Sequence, residues 1–306
     1  MNESKRILFI GILMGMADSV PGISGGTVAF VSGIYDTLIR SLSRFDLHAW
    51  TLLRKKQFAT FFAYIESGFL IRLGIGICVS LITMAHIINY LLTHHGLIIW
   101  SLFLGMVSAS AWVISQQMHS WNLWRWALLG AGFIIAWLAG AHINLSVEPA
   151  WFNFFLGGCI AISAMLLPGI SGSFILLLLG LYQPVLLAVK NFDLNILLIF
   201  ITGCITGLLL FSKCIHWLLQ HYRMATQAFL LGLTLGALQK LWPWQVRIDE
   251  ETEQYSAHLI HVLPGKFEVL TGESAQILLV CSLFIAGFAA VLLMQYADKK
   301  DKKEPA

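Results

Sequence analysis

The chain has 306 residues, 58% of them apolar and only 11% charged, with a mean hydropathy of +0.78. So few charges cannot solvate a globular surface, which excludes a soluble domain and points to a polytopic membrane protein built of α-helices. A formal net charge of +3 is too small to suggest a nucleic-acid partner, and where the charges fall carries more information than their sum.

The first apolar run, 7–20, follows a basic flank of Lys5 and Arg6 and has the outline of a secretory signal peptide. It ends, however, in "SVPGISGGTVAF" (19–30), and this motif returns as "LLPGISGSFILL" (166–177). The recurrence marks the segment as part of the fold. Pro21 and Pro168 are 147 positions apart, and at the same offset Gly11 meets Gly158, Ala17 meets Ala164, Gly33 and Tyr35 meet Gly180 and Tyr182, and Phe45-Asp46-Leu47 meets Phe192-Asp193-Leu194. So many ungapped matches argue for an internal duplication.

Further along, Gly76 matches Gly203 and Leu104-Gly105 matches Leu231-Gly232 at an offset of 127, so the first half carries a 20-residue insertion around "HAWTLLRKKQFATFFAYIES". Arg54, Lys55 and Lys56 followed by "FATFFAY" give this insertion the pattern of an amphipathic segment lying on an anionic inner leaflet.

The remaining apolar runs fall at about 22–42, 68–92, 97–115 and 124–142, then 151–167, 169–189, 195–220, 225–241 and 275–296. They form two sets of five. In each set the first two flank the PGIS break, and the opening run is shorter than the roughly 20 residues a spanning helix needs. The fold expected is an inverted-topology repeat, each half a re-entrant helical hairpin plus three transmembrane helices. Residues 1–145 form one half, with its hairpin at about 7–42 and its insertion at about 48–67; residues 146–306 form the other, with its hairpin at about 151–189. An odd number of spans per half inserts the second upside down.

Placing both termini in the cytoplasm leaves Lys190, Lys240, Arg247 and Lys266 as the basic residues of the outer loops, which satisfies the positive-inside bias. Two full spans in place of each hairpin give the same parity, so a ten-helix version fits as well. The loop 242–274 is acidic, with Asp249, Glu250, Glu251, Glu253, Glu268 and Glu273, and reads as a solvated excursion able to form a β-hairpin.

Unwound backbone at membrane depth is tolerated only where protein buries it or where it lines a polar cavity. Each PGISG puts Pro at a helix start and glycines at a sharp turn. The following helix then presents free N–H groups, supplemented by the hydroxyls of Ser24 and Thr27 or of Ser171 and Ser173. Such a helix start suits an anion, phosphate above all, and in inverted halves two of them could converge near the midplane. The bland reading is that glycine and serine only allow close packing or a kink.

Asp18, opposite Met165 at the 147 offset, is a candidate for proton or sodium coupling, or simply the cap of the next helix. On the run 195–220, Thr202, Thr206, Lys213, His216 and Gln220 share one helical face, and Lys213, His216 and Gln220 correspond to His86, Asn89 and Thr93. These read as two mouths of one headgroup path. The alternative for Lys213 and for Arg72 is snorkelling toward the interface.

His94-His95 and His258-x-x-His261 lack further ligands at metal spacing, so no metal is assigned. Cys78, Cys159, Cys204, Cys214 and Cys281 lie in apolar runs and read as small buried hydrophobes. Trp100, Trp121, Trp124, Trp151, Trp242 and Trp244 sit near span ends, as an interfacial belt would.

The stretches "GILMGMADSVPGISGGTVAFVSGIYDTLI", "LLPGISGSFILLLLGLYQPVL", "LLLFSKCIHWLL" and "LGALQKLWPW" together resemble a bacterial family of polyprenyl-phosphate transporters, once catalogued as a membrane domain of unknown function. The family often has an acid where this chain has Gln183.

The resemblance implies a multi-pass protein of the bacterial cytoplasmic membrane that returns undecaprenyl phosphate from the outer to the inner leaflet for reuse in peptidoglycan and other envelope polymers. Its partners would be that substrate and membrane lipids, and no cofactor is implied beyond a coupling proton or sodium ion. On this view Gly22, Ser24, Gly25, Gly26 and Thr27, with Gly169, Ser171, Gly172 and Ser173, bind the phosphate. Lys213 and Arg72 neutralise it, while Asp18, His86 and His216 are candidates for coupling or gating. A membrane-embedded lipid phosphatase or transferase, or a carrier of a soluble anion, are the other function classes left open.

Overall fold

A computed structural model describes residues 3–116, 118, 120–142, 150–165, 171–249 and 257–301. The first broken segment forms three helices where two are expected: α1 (Glu3–Ser19), α2 (Gly25–Val31) and α3 (Tyr35–Ser43). Gly22 (φ +92°) and Gly33 (φ +72°) take the left-handed conformations that separate them, which residues with a Cβ adopt only at a cost. The insertion folds as a helical hairpin, α4 (Leu47–Arg54) and α5 (Phe58–Tyr64), closed on Ala49, Leu52, Phe61 and Ile65.

Three long apolar helices follow: α6 (Ser67–His94), α7 (Gly96–Gln116) and α8 (Leu123–His142). The second broken segment repeats the first, with α9 (Trp151–Met165), α10 (Gly172–Leu178) and α11 (Tyr182–Asn191). Gly180, the repeat counterpart of Gly33, has the same φ of +72°, and α10 and α11 are bent by 115°.

The runs 195–220 and 225–241, expected as separate spans, are two helical segments of α12 (Leu194–Ala237), divided at Tyr222, where the backbone (φ −131°, ψ 34°) leaves helical geometry. A 3-10 turn (Leu238–Leu241) leads into an antiparallel hairpin of β1 (Gln245–Asp249) and β2 (Ala257–His261), in register Gln245↔His261 to Asp249↔Ala257. The loop 242–274 therefore does contain the anticipated strands. α13 (Pro264–Thr271) and α14 (Ile277–Asp301) complete the chain.

Among the described residues α6, α7 and the Ile277–Tyr296 part of α14 are each long and apolar enough to cross a bilayer, and α10 with α11 makes a fourth if counted as one bent span. Leu123–Leu138, Trp151–Ser163 and Leu194–Leu208 are apolar but shorter. Several apolar helices of this kind fit a polytopic membrane protein.

The chain packs as two compact units that cut across the sequence halves: Met1–Ser19 with Ser24–Met84 and Met294–Ala306, and Val20–Ile23 with Ala85–Leu293. In the first, α1 to α3 close on α6 through Ile7, Ile10, Met14, Ala29, Ile34 and Leu73. The crossing of α1 and α6 is made by Gly11 and Gly76: a Cβ on Gly11 would strike Leu73 O, and one on Gly76 would strike Leu8 O.

In the second unit the corresponding glycines do the same. A Cβ on Gly158 of α9 would strike Phe200 O, and one on Gly203 of α12 would strike Phe155 O. The later part of α12 packs on α8 and α7 through Ala111, Ile114, Met118, Ala228 and Leu231. Above the helices, the β-hairpin and α13 enclose Trp244, Val262, Phe267, Ala275 and Val280. Trp244 is only 7% exposed and its Nε1 donates to Ala275 O at 2.9 Å. Trp242 Nε1 donates to Val262 O at 2.8 Å. These two tryptophans hold the cap together rather than joining a lipid-facing belt, whereas Trp121, Trp124 and Trp151 are exposed.

Candidate functional site

At the first break Pro21 is fully buried, and Ser110 of α7 donates to Gly22 O at 2.8 Å as well as to Met106 O within its own helix at 3.1 Å. A Cβ on Gly22 would come within 3.1 Å of the Met106 backbone and 3.2 Å of Ser110 Oγ. A glycine is therefore needed here both for its φ and for the approach of α7. Ser110 gave no signal in the sequence, because a serine within an apolar helix is ordinarily a packing residue.

The first amides of α2 are already engaged. Gly25 N donates to Asp18 Oδ1 at 2.7 Å, and Gly26 N donates to Ser24 Oγ at 3.3 Å. Thr27 N donates to Ser24 O at 3.0 Å. Asp18 is thus the cap of α2, the structural role weighed against coupling, and it lies so close that a Cβ on Gly25 would collide with its carboxylate. Ser19 beside it gives its hydroxyl to Gly15 O at 2.7 Å.

The second break presents the same frame with different chemistry. Gly169 lies outside the described residues. Ser171 is the N-cap of α10, but its side chain makes no capping bond; its Oγ lies 2.6 Å from Ser173 Oγ, and both serines are buried. Above the first glycine of α10 sits Met165, whose Sδ would be 2.7 Å from a Cβ on Gly172. Met165 occupies the position of Asp18, so a thioether stands where the first half has a carboxylate. With α2 and α10 only seven residues long each, the helix dipole is short and these local amides and hydroxyls matter more than the helix as a whole.

The remaining candidates lie on α6 and α12. Arg72 is exposed on α6, its guanidinium 3.9 Å from the position of a Cβ on Gly68, as a snorkelling side chain would be. On the same helix His86 is exposed and Asn89 buried. Thr202 and Thr206 give their hydroxyls to Ile199 O and Thr202 O, each at 2.8 Å, so they satisfy themselves within α12. Lys213, His216 and Gln220 belong to α12, but their side chains lie outside the described residues.

One cation near the second break escaped the sequence reading. Lys240, assigned there to an outer loop, is half-buried and donates from Nζ to Leu178 O, the carbonyl end of α10, at 2.6 Å. Among the described residues the ion pairs are Arg40 and Arg44 with Glu66, at 3.2 and 2.7 Å, and no group of three His, Cys, Asp or Glu converges as a metal site.

The family model described as undecaprenyl phosphate translocase-like matches residues 14–259. A polyprenyl-phosphate transporter of Vibrio cholerae is 46% identical over 294 residues, covering 94% of this chain and 96% of that protein. A polyprenyl-phosphate transporter of Staphylococcus aureus is 33% identical over 253 residues, covering 76% of this chain and 84% of its own. No solved structure matches the chain. With both broken segments and most of the helices inside the matched region, the chain belongs to the undecaprenyl phosphate translocase-like family.

Proposed function

We propose that this protein carries undecaprenyl phosphate from the outer to the inner leaflet of the bacterial cytoplasmic membrane, returning the carrier lipid for another round of use. Its relatives' names support the substrate class. The observation that carries the site is the start of α10, where two buried serine hydroxyls lie against each other and, among the described residues, no carboxylate takes them.

An ionised phosphate crossing hydrocarbon unaided costs on the order of tens of kcal/mol in the Born limit. The protein must therefore replace its water shell, while the prenyl tail needs no shelter because lipid already solvates it. Ser171, Gly172 and Ser173, with Gly169, supply donors in the second half. Gly22, Ser24, Gly25, Gly26 and Thr27 supply them in the first, once Asp18 gives way. Lys213 is assigned the neutralising charge, and Arg72 a lesser part in it. His86 and His216 mark the two mouths of the path.

The halves are taken to be inverted, both termini cytoplasmic, and transport to proceed by alternating access. Asp18 is suited to couple a proton or sodium ion, because phosphate and carboxylate compete for the same amides of α2. No covalent step is assigned. A phosphatase would need a nucleophile held by a base, and the hydroxyl of Ser19 is instead given to a helix carbonyl.

The test is uptake of a short-chain prenyl phosphate by proteoliposomes. Ser171→Ala and Lys213→Ala should lower the rate without lowering protein abundance, and excess inorganic phosphate should compete poorly. Unchanged transport in both variants, or release of free phosphate, defeats the reading.

A further inference from the structure

Within the second unit a cavity of about 810 Å3 lies beneath the β-hairpin cap. Its volume is in the range of sites that hold a small molecule, roughly 300–1,000 Å3, and its walls are of two kinds. Leu92, Leu97, Trp100, Leu187 and Phe267 are aliphatic or aromatic; Thr93, His94, Gln183 and Gln245 are polar, and Glu273 is the one carboxylate among its lining residues.

The cavity is separated from the second break by the length of α10. Gln183 and Pro184 begin α11, just past the Gly180 turn, and α10 between that turn and the Ser171–Ser173 pair is about 10 Å long at 1.5 Å per residue. Lys240 fixes the near end of α10 through Leu178 O. Of the polar wall, Thr93 spends its hydroxyl on Asn89 O and Tyr90 O, and Gln245 spends its amide N–H groups on Lys240 O and Trp242 O. His94 donates from Nδ1 to Tyr90 O, with Thr93 Oγ1 also at 2.8 Å, so its Nε2 meets a phosphate as a donor only when the ring carries both protons. Gln183 has both amide groups to offer.

We infer that this cavity is a resting site for an incoming polyprenyl phosphate, its proximal isoprene units against Trp100, Leu187 and Phe267 and its phosphate toward Gln183 and His94. The inference rests on the proposed transport function and deepens it, assigning a second station before the helix break. Only the first isoprene units fit, so the rest of the tail stays in lipid. Glu273 repels the phosphate and keeps it at the Gln183 side. Any lipid with a phosphate and an apolar chain shares this chemistry, so the experiment must separate a prenyl phosphate from a phospholipid.

The probe is farnesyl phosphate carrying a diazirine, photolysed with the full-length protein in nanodiscs and mapped by mass spectrometry. Labels are expected on peptides containing Trp100, Leu187 or Phe267, displaced by farnesyl phosphate but not by farnesol or inorganic phosphate. Leu187→Trp, which fills the cavity, should cut this labelling about tenfold or more, the scale of a few methylene groups lost from an apolar wall. Gln183→Leu, on the exposed start of α11, is the second variant should the first fail to fold. Glu273→Gln should raise labelling. Labels confined to other peptides, labelling undiminished in the cavity variant that folds, or preferential labelling by a diazirine phosphatidylethanolamine that farnesyl phosphate does not displace would each overturn the site. Wild-type protein that moves no prenyl phosphate would instead defeat the transport reading itself, so the two failures are distinct.

Discussion

At the scale of single residues the two helix breaks differ by one side chain. Asp18 and Met165 stand in the same place over Gly25 and Gly172, but only Asp18 carries an anion to the amide beneath it. If phosphate binds at these starts, the first is held by its own carboxylate and the second is covered by a thioether that offers its amide no anion. Asp18→Met should therefore make the first break resemble the second, raising phosphate-probe binding while lowering thermal stability by about 1 kcal/mol for the lost cap. Asp18→Asn keeps an acceptor for Gly25 N and should spare most of that stability while still removing the charge. Binding that is unchanged in both variants would show that the carboxylate is only a cap.

Ser80 offers a second residue-level test: its Oγ is buried with no hydrogen-bond partner. Removing an unsatisfied hydroxyl is neutral or stabilising, so Ser80→Ala should hold or raise the melting temperature. Loss of transport without loss of stability would mark the hydroxyl as a ligand group. The PGIS motif itself was legible from its recurrence. The meaning of Met165 was not, since an apolar residue in an apolar run has no signal until geometry places it over the glycine.

At the scale of elements, the insertion is a helical hairpin whose ends are tied by Asp46. Its carboxylate accepts from Ala49 N at 2.9 Å, capping α4, and from Tyr64 Oη at 3.0 Å, at the end of α5. Arg44 lies over the Tyr64 ring, 5.5 Å from its centroid, and pairs with Glu66. The Ala49 amide, with help from the Tyr64 hydroxyl, holds the Asp46 carboxyl below its ordinary value of 3.8. A carboxyl depressed in the folded state stabilises it above the unfolded value, and that contribution fades as pH falls through the folded one. Backbone hydrogen exchange in α4 and α5 should then be pH-insensitive in protection near neutrality and lose protection in acid below about 3.8. Asp46→Asn should remove that acid transition while keeping the helix. An acid transition that persists in the variant assigns it elsewhere.

The amphipathic character of this segment could be read from its residues, whereas the helix-ending roles of Gly33 and Gly180 could not, because each sits inside an apolar run, 22–42 or 169–189, that reads as one helix. The division of α12 could be read as well: the polar stretch His221-Tyr222-Arg223 separates two apolar runs, and there, with all three side chains exposed, the backbone leaves helical geometry at Tyr222. That the break is a tight kink and not a loop had no signal, since none of those residues breaks a helix on intrinsic propensity.

At the scale of the molecule, positions related by the sequence offsets meet in equivalent contacts that the offsets alone could not give, because correspondence says which residues are alike and not which ones touch. The third helix of each half packs on the middle helix of the other. A Cβ on Gly105 of α7 would strike Phe284 O of α14, and one on Gly287 of α14 would strike Leu102 O of α7. Likewise a Cβ on Gly232 of α12 would strike Leu129 O of α8, and one on Gly132 of α8 would strike Phe229 O of α12. Gly105 and Leu102 map to Gly232 and Phe229 by the offset of 127, while Leu129 and Gly132 both map 155 positions on, to Phe284 and Gly287. The two crossings are one design used twice, each joining the halves.

Leucine at Gly105 or at Gly232 must therefore push apart equivalent backbones, and both should cost on the order of 1–3 kcal/mol, the range for overpacking a tight contact. Gly130→Leu is the internal control. It lies two residues from Gly132 on α8 with nothing within 4 Å of its Cβ position, so relief of glycine's helix penalty should leave it neutral or gain up to about 1 kcal/mol. Thermal unfolding of the purified protein in detergent measures all three. Similar losses at Gly105 and Gly232 beside an unharmed Gly130 variant are the expected pattern. A large loss at one crossing and none at the other would mean that the halves share ancestry but no longer share their load, and an alternating motion that treats them as equivalents would lose its structural basis.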